Sequence, residues 1–356
     1  MQQSRAKRRT VEESAFELLR RLELATIFAG PGSSGQSWHP AVPEGFRIVA
    51  HDQCSAAVTT ASAYARITGA TALVAIASEM DVVGTAAPLL AATQGGDPLV
   101  VVVFTRPGWR DSAVGLMLPG PWAKQTLVAE QRRYAPSVLA AAFELSMQTP
   151  RGPVVVMVPA RPAPAGASPG SGTRRDGAVL PHAEHATARV PASTAPREAG
   201  HRALGPVDIV RALRAAAPED TVLVDDGRAR KGPMAAAWSP PQPEMRHWNL
   251  HGISGWELPF AVGVALAERD LGRMRPVLAV TTAASVLATI SALTTAVQLR
   301  LPLVTVALNE HGQRLHALAA AYDARTTSIR GIDALAEATA AAWSHDGPTV
   351  VNVLPQ

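Results

Sequence analysis

The sequence predicts an α/β protein of two domains, each a mostly parallel sheet covered by helices on both faces. Short apolar runs such as PLVVVVF at residues 98–104 indicate strands buried on both faces, because strands of parallel sheets lie between layers of helices. Segments with helical spacing of apolar residues separate these runs. The alternation occurs on both sides of a stretch rich in Pro, Ala and Gly. Two layered domains joined by a linker are therefore expected.

The first half of the chain alternates helix and strand from residue 10 onward. Thr10 stands before apolar residues at helical spacing in TVEESAFELLRRLE, which is typical of a capped helix. We predict helices over 10–23, 53–67, 83–95 and 135–148. We predict strands over 25–30, 46–51, 71–77, 98–104 and 152–158.

Residues 166–204 have no sustained period, and their Pro, Ala, Gly and Ser content favours a flexible linker. They separate a domain at 1–165 from a domain at 205–356. In the second domain we predict helices over 205–218, 258–270, 284–300 and 332–343, and strands over 221–226, 275–281, 302–309 and 348–354. Open parallel sheets bind ligands beyond the carboxyl ends of their strands, so the loops there are where chemistry is expected.

Composition narrows the classes of function. A chain of 356 residues with 47% hydrophobic content is long and apolar enough for two globular cores. The net charge of +4 comes without a dense basic stripe, which argues against nucleic-acid binding. One cysteine, Cys54, excludes an internal disulfide and a cysteine-based zinc site. No apolar run approaches the roughly 20 residues that span a bilayer, so we expect a cytoplasmic protein without a membrane partner.

Motifs in both halves resemble one enzyme family. The PGS turn at 31–33, the PEGFR segment at 43–47 and the YAR ending at 64–66 resemble the pyrimidine-binding domain of thiamine-diphosphate-dependent 2-oxoacid decarboxylases, nearest to benzoylformate decarboxylase. The stretches GISGWELPFAVGVALA and ISALTTAVQLRLPLVTVALNEHG resemble the diphosphate-binding domain of the same family. Their order is similar to that of sulfopyruvate and phosphonopyruvate decarboxylases. The resemblance implies two thiamine-diphosphate-binding-fold domains with no middle domain.

The same resemblance locates the family's chemical groups, and several are missing. The glutamate that activates the pyrimidine ring would fall on Cys54, ten residues before Tyr64, or in a shifted alignment on Asp52. The histidine of the benzoylformate enzyme would fall on Ala77, and a small hydroxyl residue near the diphosphate on Arg228. None of these positions keeps the residue type of the family.

The magnesium site that the resemblance implies is also incomplete. Its Gly-Asp-Gly turn falls on Thr282, Ala283 and Ala284, so Ala283 stands where the carboxylate should be. Of the following Asn pair only Asn309 remains, with Glu310 as its neighbour. We therefore expect degenerate cofactor positions, no bound thiamine diphosphate or Mg²⁺, and no metal site.

The polar residues that remain at these edges are the candidate catalytic groups. His51 and Cys54 could pair as imidazole and thiol, since a thiolate with a lowered pKa is a nucleophile; simple burial of Cys54 is the alternative. Glu310 and His311 follow a strand and could act as base and acid, or form a solvated loop.

A second group of residues is suited to binding an acidic substrate. Arg228 and Lys231 lie in one short loop, where guanidinium and ammonium groups could bind an anion without metal, or could simply be solvated. Ser33 matches a substrate-contacting serine of the benzoylformate enzyme and is equally suited to capping a helix. His251 precedes the GISGW motif, near the expected bend of the cofactor.

Three functions remain open. The first is an enzyme that reuses the interdomain cleft for a small acidic metabolite through cofactor-independent acid-base or thiol chemistry. The second is a non-catalytic regulatory or structural subunit that pairs with an active relative. The third is a residual thiamine-diphosphate-dependent 2-oxoacid decarboxylase or lyase. In each case we expect a homodimer or homotetramer, because such domains bury apolar faces against one another.

Overall fold

The computed structural model describes residues 9–33, 42–112, 115, 121–160, 206–225, 238, 247–249 and 255–355. By its internal contacts the chain divides into two compact units, residues 1–50 with 70–182 and residues 51–69 with 183–356. The predicted linker, 166–204, lies outside the described residues. The helix Cys54–Thr68 belongs to the first half by sequence but to the second unit by packing.

The described part of the first unit contains a six-stranded sheet in which neighbouring strands are parallel. Its strands are β1 (Thr26–Ala29), β2 (Arg47–Ala50), β3 (Ala72–Ile76), β4 (Leu99–Thr105), β5 (Gln125–Val128) and β6 (Val154–Pro159). They lie in the order β2-β1-β3-β4-β6-β5. Its helices are α1 (Val11–Arg21), α3 (Glu79–Val82), α4 (Ala86–Gly95) and α5 (Ala135–Met147), α2 being the helix that packs in the second unit.

Local sequence explains the start of this unit and the depth of its core. The Thr10 side chain accepts a hydrogen bond from the Glu13 N–H, and the Glu13 carboxylate accepts one from the Thr10 N–H. This reciprocal pair satisfies two donors that a helix start leaves open. All seven residues of β4 are buried, as expected of a central strand between helix layers.

The described part of the second unit contains another six-stranded parallel sheet. Its strands are β7 (Val222–Asp225), β8 (His247–Asn249), β9 (Val277–Thr282), β10 (Leu303–Leu308), β11 (Arg325–Ile329) and β12 (Thr349–Val353), in the order β11-β12-β10-β9-β7-β8. Its helices are α2 (Cys54–Thr68), α6 (Pro206–Ala216), α7 (Glu257–Asp270), α8 (Ala283–Ala288), α9 (Ala292–Gln298), α10 (Leu315–Ala321) and α11 (Ile332–Ala342). The predicted α/β class with parallel sheets is confirmed.

Helices α2 and α7 cross at very close range inside the second unit. A Cβ added to Gly263 would lie 2.2 Å from the backbone oxygen of Thr60, so only glycine allows this approach. The Thr60 hydroxyl donates to the Pro259 carbonyl at 2.9 Å, and the Tyr64 hydroxyl donates to the Asp270 carboxylate at 3.0 Å. These contacts hold α2 along α7.

One predicted helix is two helices in the structure. Residues 284–300 were expected to form a single helix, but α8 ends before Thr289 and α9 begins at Ala292. Thr289 has φ −127°, and its hydroxyl donates to the Ser285 carbonyl at 3.1 Å. The same kind of bond occurs at Thr59 within the unbroken α2, so it accompanies the break at Thr289 without being sufficient to cause it.

In each sheet the strand order reverses near both edges, and one reversal is made by the crossover beside the first strand of the unit. In the first unit this reversal lies between β1 and β3, and in the second between β7 and β9. Such reversals open a crevice at the carboxyl ends of the two strands, where ligands of open α/β sheets bind. The search for a functional site therefore begins at these two edges.

Candidate functional site

The carboxyl end of β9 forms one side of the crevice in the second unit. β9 ends with Thr281 and Thr282, and the neighbouring β7 ends with Asp225, which pairs in register with Val280. Thr281 and Asp225 are both buried. Both strands thus end in polar residues where the strand order reverses, which is where open α/β sheets bind ligands.

A buried glutamate that sequence reasoning missed reaches this strand end. Glu257 is the first residue of α7 and is fully buried. Its two carboxylate oxygens accept the Gly255 N–H at 3.0 and 3.1 Å, and one of them accepts the Thr281 hydroxyl at 3.0 Å. The only signal in the sequence was a single acidic residue immediately before an apolar helix, and the predicted helix began one residue later.

The turn after β9, residues 282–285, begins α8, and we call it the β9 turn. Thr282 caps the helix: its hydroxyl accepts the Ser285 N–H at 3.2 Å and donates to the Ser285 hydroxyl at 3.0 Å. Ala283 is buried and Ala284 is exposed. The β9 turn therefore presents hydroxyl and backbone groups, and Ala283 contributes no metal ligand.

Asn309 uses its side chain to shape the loop after β10. It is buried, its amide nitrogen donates to the Gln313 carbonyl at 2.7 Å and to the Asn352 side chain at 2.9 Å, and its oxygen accepts the Gln313 N–H at 2.8 Å. The predicted catalytic pair Glu310 and His311 lies in this same loop, and both residues are exposed. The structure therefore gives Asn309 a positioning role in the loop and leaves Glu310 and His311 at its surface.

His51 and Cys54 lie at the entry to α2, in the second unit. His51 is 5% exposed, and its Nδ1 is 3.3 Å from the Thr295 hydroxyl on α9. Burial lowers the pKa of His51 from its usual value to about 4, so the imidazole is neutral at physiological pH. Its Nε2 has no hydrogen-bond partner among the described residues. Cys54 is the first residue of α2 and is buried.

Ser33 lies at the crevice of the first unit. It is buried, and its hydroxyl donates to the Gly30 carbonyl at 2.6 Å, which stabilises the turn after β1. A Cβ added to Gly32, which has φ +70°, would be 3.4 Å from the Cβ of Ala77. The PGS turn is therefore packed tightly against the loop after β3.

A second carboxylate missed by sequence reasoning lies directly after that loop, at the first residue of α3. Glu79 is buried, and its carboxylate accepts the Arg106 Nε–H at 2.8 Å and the Arg106 backbone N–H at 3.3 Å. Arg106 follows β4, the neighbour of β3. This ion pair ties together the two strand ends beside the crevice.

Other expectations cannot be placed on the structure. Arg228, Lys231 and His251, predicted to bind an anion, lie outside the described residues. Within the described ranges, no group of three or more His, Cys, Asp or Glu side chains is placed to hold a metal ion. In the same part of the chain, no helix combines the length and hydropathy required to cross a bilayer.

The groups at the β9 turn can be compared with what thiamine diphosphate requires. Its diphosphate needs donors; the Ser285 hydroxyl can provide one, whereas the Thr282 hydroxyl already donates to the Ser285 hydroxyl and the Ser285 N–H already donates to Thr282. Its metal ion needs oxygen ligands, and the Glu257 carboxylate, which accepts the Thr281 hydroxyl, is bonded to this strand end. The described residues of the turn therefore offer few donors to the anionic end of the cofactor, and they lack the acidic residue expected within the turn itself.

Two family models match the chain. The N-terminal TPP binding domain of thiamine pyrophosphate enzymes matches residues 9–125, and the C-terminal TPP binding domain of these enzymes matches residues 232–316. Together the two matches cover more than half of the chain. They occur in the order that the motifs predicted.

Individual proteins agree with the family models. Benzoylformate decarboxylase from Pseudomonas aeruginosa is 28% identical over 187 residues, which are 49% of this chain and 35% of that protein. The chain thus spans about a third of the length of this curated relative.

Solved structures show the same fold. Benzoylformate decarboxylase from Polynucleobacter necessarius superposes with a TM-score of 0.80 at 17% identity, covering 98% of both chains. The thiamine diphosphate-dependent 4-hydroxybenzoylformate decarboxylase from Rhodococcus jostii gives a TM-score of 0.77 at 19% identity, covering 98% of this chain and 99% of that one.

The expectation that the chain uses no thiamine diphosphate is wrong. Both matched domains are thiamine-pyrophosphate-binding domains, and the relatives are decarboxylases, which points to use of this cofactor. The expectation rested on missing side chains at Cys54 and Ala283, whereas a cofactor of this size is also held by hydroxyl and backbone groups spread over a domain. The chain belongs to the family of thiamine-pyrophosphate-dependent enzymes that includes the 2-oxoacid decarboxylases.

Proposed function

We propose that the chain is a thiamine-diphosphate-dependent decarboxylase of a small 2-oxoacid. The observation that carries the proposal is the presence, in one chain, of both matched thiamine-pyrophosphate-binding domains. The reversal of strand order in each sheet supports it, because it provides a crevice at the carboxyl edge of each unit. When bound, the cofactor supplies a carbanion nucleophile and an electron sink for the bond that breaks.

The residues of the second unit have distinct tasks in this proposal. Ser285 donates its hydroxyl to the diphosphate, Thr282 orients Ser285 by donating to its hydroxyl oxygen, and Glu257 holds the end of β9 by accepting the Thr281 hydroxyl. Asn309 fixes the loop after β10 through its bonds to Gln313. Each residue acts through position and hydrogen bonding, which is how proteins contribute to cofactor chemistry.

His51 contributes as a neutral imidazole. Because burial lowers its pKa to about 4, it carries no charge near pH 7 and can donate one hydrogen bond and accept another. The Thr295 hydroxyl is hydrogen-bonded to Nδ1 of His51, and Nε2 of His51 remains available to bond to a ligand atom. We propose that His51 orients the ligand and is not the proton donor at neutral pH.

The proposed substrates are aromatic 2-oxoacids, following the names of the relatives. In the reaction the bond between the carboxylate and the carbonyl carbon breaks, CO₂ leaves, and the carbonyl carbon gains a proton to give an aldehyde. Benzoylformate is the substrate to test first, since a benzoylformate decarboxylase is among the relatives. The two-domain chain covers only part of that relative, so its preferred acid has to be measured directly.

Titration calorimetry and turnover together test the proposal. The purified chain is titrated with thiamine diphosphate in the presence of Mg²⁺, and aldehyde formation from benzoylformate and a panel of aromatic and aliphatic 2-oxoacids is followed. Saturable binding and cofactor-dependent aldehyde formation are expected. Absence of saturable heat at millimolar cofactor would overturn the proposal, and turnover that is independent of added cofactor in a cofactor-free preparation would favour acid-base or thiol chemistry instead.

We also propose that the chain forms a homodimer or homotetramer. The support is the general tendency of such domains to bury apolar faces against a second copy. Light scattering of the purified chain measures this, and a monomer at micromolar concentration would contradict it. Co-purification of a related, larger subunit would favour the role of a regulatory partner.

A further inference from the structure

The edge strand β11 and the helix α11 enclose a cavity of about 500 Å³ in the second unit. The strand wall carries Arg325, Thr327 and Ile329, which are alternate residues of β11 and therefore share one face of the sheet. Thr349 of β12 is the parallel partner of Arg325 and lines the cavity beside it. Pockets for small molecules have volumes of about 300–1,000 Å³, so this cavity is large enough for one. Two strands, β12 and β10, separate β11 from β9 and its turn.

The cavity exists because the facing wall of α11 is built from small side chains. Ala334, Ala338 and Ala341 are four and three residues apart, which places them on one face of the helix, and all three line the cavity. Ala334 also packs with Ile329 in the core of the unit, which closes the cavity on its inner side. Glu337 adds a carboxylate to the same helix wall. Protein interiors are close-packed, with few spaces larger than a water molecule, so a space of this size is unusual.

Polar groups on the strand wall have no partner within the protein. Thr349 is 2% exposed, and its hydroxyl has no hydrogen-bond partner in the part of the chain that the structure describes. Within the same described ranges, the Arg325 guanidinium and the Thr327 hydroxyl also lack one. On the other face of β11, by contrast, Thr326 is bonded to Nδ1 of His316. Buried polar groups are normally paired, so the unpaired hydroxyl of Thr349 indicates a partner that comes from outside the chain.

We propose that this cavity binds a zwitterionic α-amino acid with a large apolar side chain. The Arg325 guanidinium matches the geometry of the ligand carboxylate, and the Thr349 hydroxyl donates to the same group. Glu337 accepts the ligand ammonium; a carboxylate has several acceptor sites, so this bond adds to the interaction that Glu337 already makes. The alanine wall and Ile329 contact the apolar side chain of the ligand.

The two charges of the cavity select the class of ligand. A simple anion would bring its charge toward Glu337, and a simple cation would bring its charge toward Arg325, so a ligand that carries both charges suits the cavity better than either. The site is independent of the proposed function, because none of its lining residues belongs to the β9 turn.

Calorimetric titration of the full chain without cofactor tests the proposal. The probes are L-phenylalanine, L-leucine and L-methionine. Two analogues of phenylalanine serve as comparisons: 3-phenylpropanoate, which lacks the ammonium group, and 2-phenylethylamine, which lacks the carboxylate. Saturable binding of at least one amino acid is expected. If phenylalanine binds, both analogues should bind at least tenfold more weakly, because each leaves one charged group of the cavity unpaired.

Matched variants assign the binding to this cavity. Arg325→Gln should raise the Kd about tenfold or more and Thr349→Val about threefold, the usual effects of losing a charge-assisted bond and a single hydroxyl bond. Ala341→Leu should abolish binding by filling the space. Arg330→Gln, just after β11, and Thr339→Val, a buried threonine of α11 whose hydroxyl has no partner among the described residues, are controls that do not line the cavity and should bind normally.

Three results would overturn the inference. The first is the absence of saturable heat with all three amino acids. The second is binding that Arg325→Gln and Ala341→Leu leave unchanged while their unfolding temperatures show that both variants are folded. The third is equal binding of phenylalanine and 3-phenylpropanoate, which would mean that the ammonium group is not recognised. Since thiamine diphosphate is absent from these titrations, none of these results depends on whether the proposed function is correct.

Discussion

Gly263 on α7 faces the backbone carbonyl of Thr60 on α2 with no room for a side chain between them. A Cβ on Gly263 would lie 2.2 Å from the Thr60 oxygen and 2.7 Å from the Cβ of Ala63. Real Cβ atoms do not approach a backbone oxygen this closely, so the two helices would have to separate. This crossing holds the helix that carries Cys54 inside the second unit.

Gly263→Ala is therefore expected to destabilise the second unit. Overpacking of a tight core contact costs about 1–3 kcal/mol, and occasionally more, because backbone has to move. Thermal unfolding followed by circular dichroism should show a lower midpoint. Gly84→Ala is the control: it lies at a non-positive φ with open space around the added Cβ, so its midpoint should be nearly unchanged. Equal midpoints for the two variants would contradict the close crossing.

The stability of the chain should fall in mild acid because of His51. Its pKa is about 4 in the folded chain and near 6.5 when unfolded, so between these values the unfolded chain binds the extra proton. His51 therefore leaves the free energy of unfolding unchanged above about pH 6.5. Below that pH the free energy of unfolding falls, by up to about 3 kcal/mol as the pH approaches 4. Urea unfolding at several pH values measures this slope. His51→Asn, which does not titrate, should have a shallower slope, and identical slopes would show that His51 is not the group responsible.

Asn309→Asp should loosen the loop after β10. The change removes the amide donor to Gln313 and Asn352 and directs a carboxylate toward two acceptor oxygens. We expect a loss of roughly 1–3 kcal/mol in unfolding free energy, the usual cost of leaving buried polar groups unsatisfied. Chemical denaturation measures the change. Gln313→Ala keeps both backbone partners of Asn309, so a comparable loss there would contradict this role for the Asn309 side chain.

Arg106→Met should destabilise the first unit by about 1–3 kcal/mol, because the buried Glu79 carboxylate then keeps only its backbone donor. The matched control is Arg110→Met. The Arg110–Glu130 ion pair is shorter, at 2.6 Å against 2.8 Å for Arg106–Glu79, but both of its side chains are exposed, and such pairs contribute about 0–1 kcal/mol. Denaturation midpoints are measured for both variants. A larger loss of stability for Arg106→Met shows that burial of Glu79 sets the loss, and equal losses would contradict this.

The fold was largely predictable because the interior strands of each sheet are apolar along their length. Three strands were missed, β5, β8 and β11, and each lies at the edge of its sheet. An edge strand packs against one neighbour only, and β11, with the sequence RTTSI, and β5, with QTLV, are correspondingly polar and partly exposed. A sequence pattern that depends on burial therefore identifies central strands more readily than edge strands, although it did identify β2, the largely apolar edge strand RIVA of the first sheet.

The candidate site was less predictable, for a different physical reason. Comparison with the family assigned the β9 turn and the loop at Asn309 to positions that directly follow β9 and β10, since these strands are strongly marked in the sequence. It could not show that Glu257 reaches Thr281, because that contact joins residues far apart in sequence. The missing side chains at Cys54, Ala77 and Ala283 were together given too much weight, and the expectation of no thiamine diphosphate followed.

The packing of α2 has a consequence for how the chain can be divided. A cut in the stretch rich in Pro, Ala and Gly leaves residues 51–69 joined to the first half, although their contacts lie in the second unit. A fragment that begins after the cut would expose the glycine-containing face of α7 to water and lack the helix that shields it. The two halves are therefore interdependent for folding. In a chimera with a relative, α2 and α7 should come from the same parent, because their close crossing depends on Gly263.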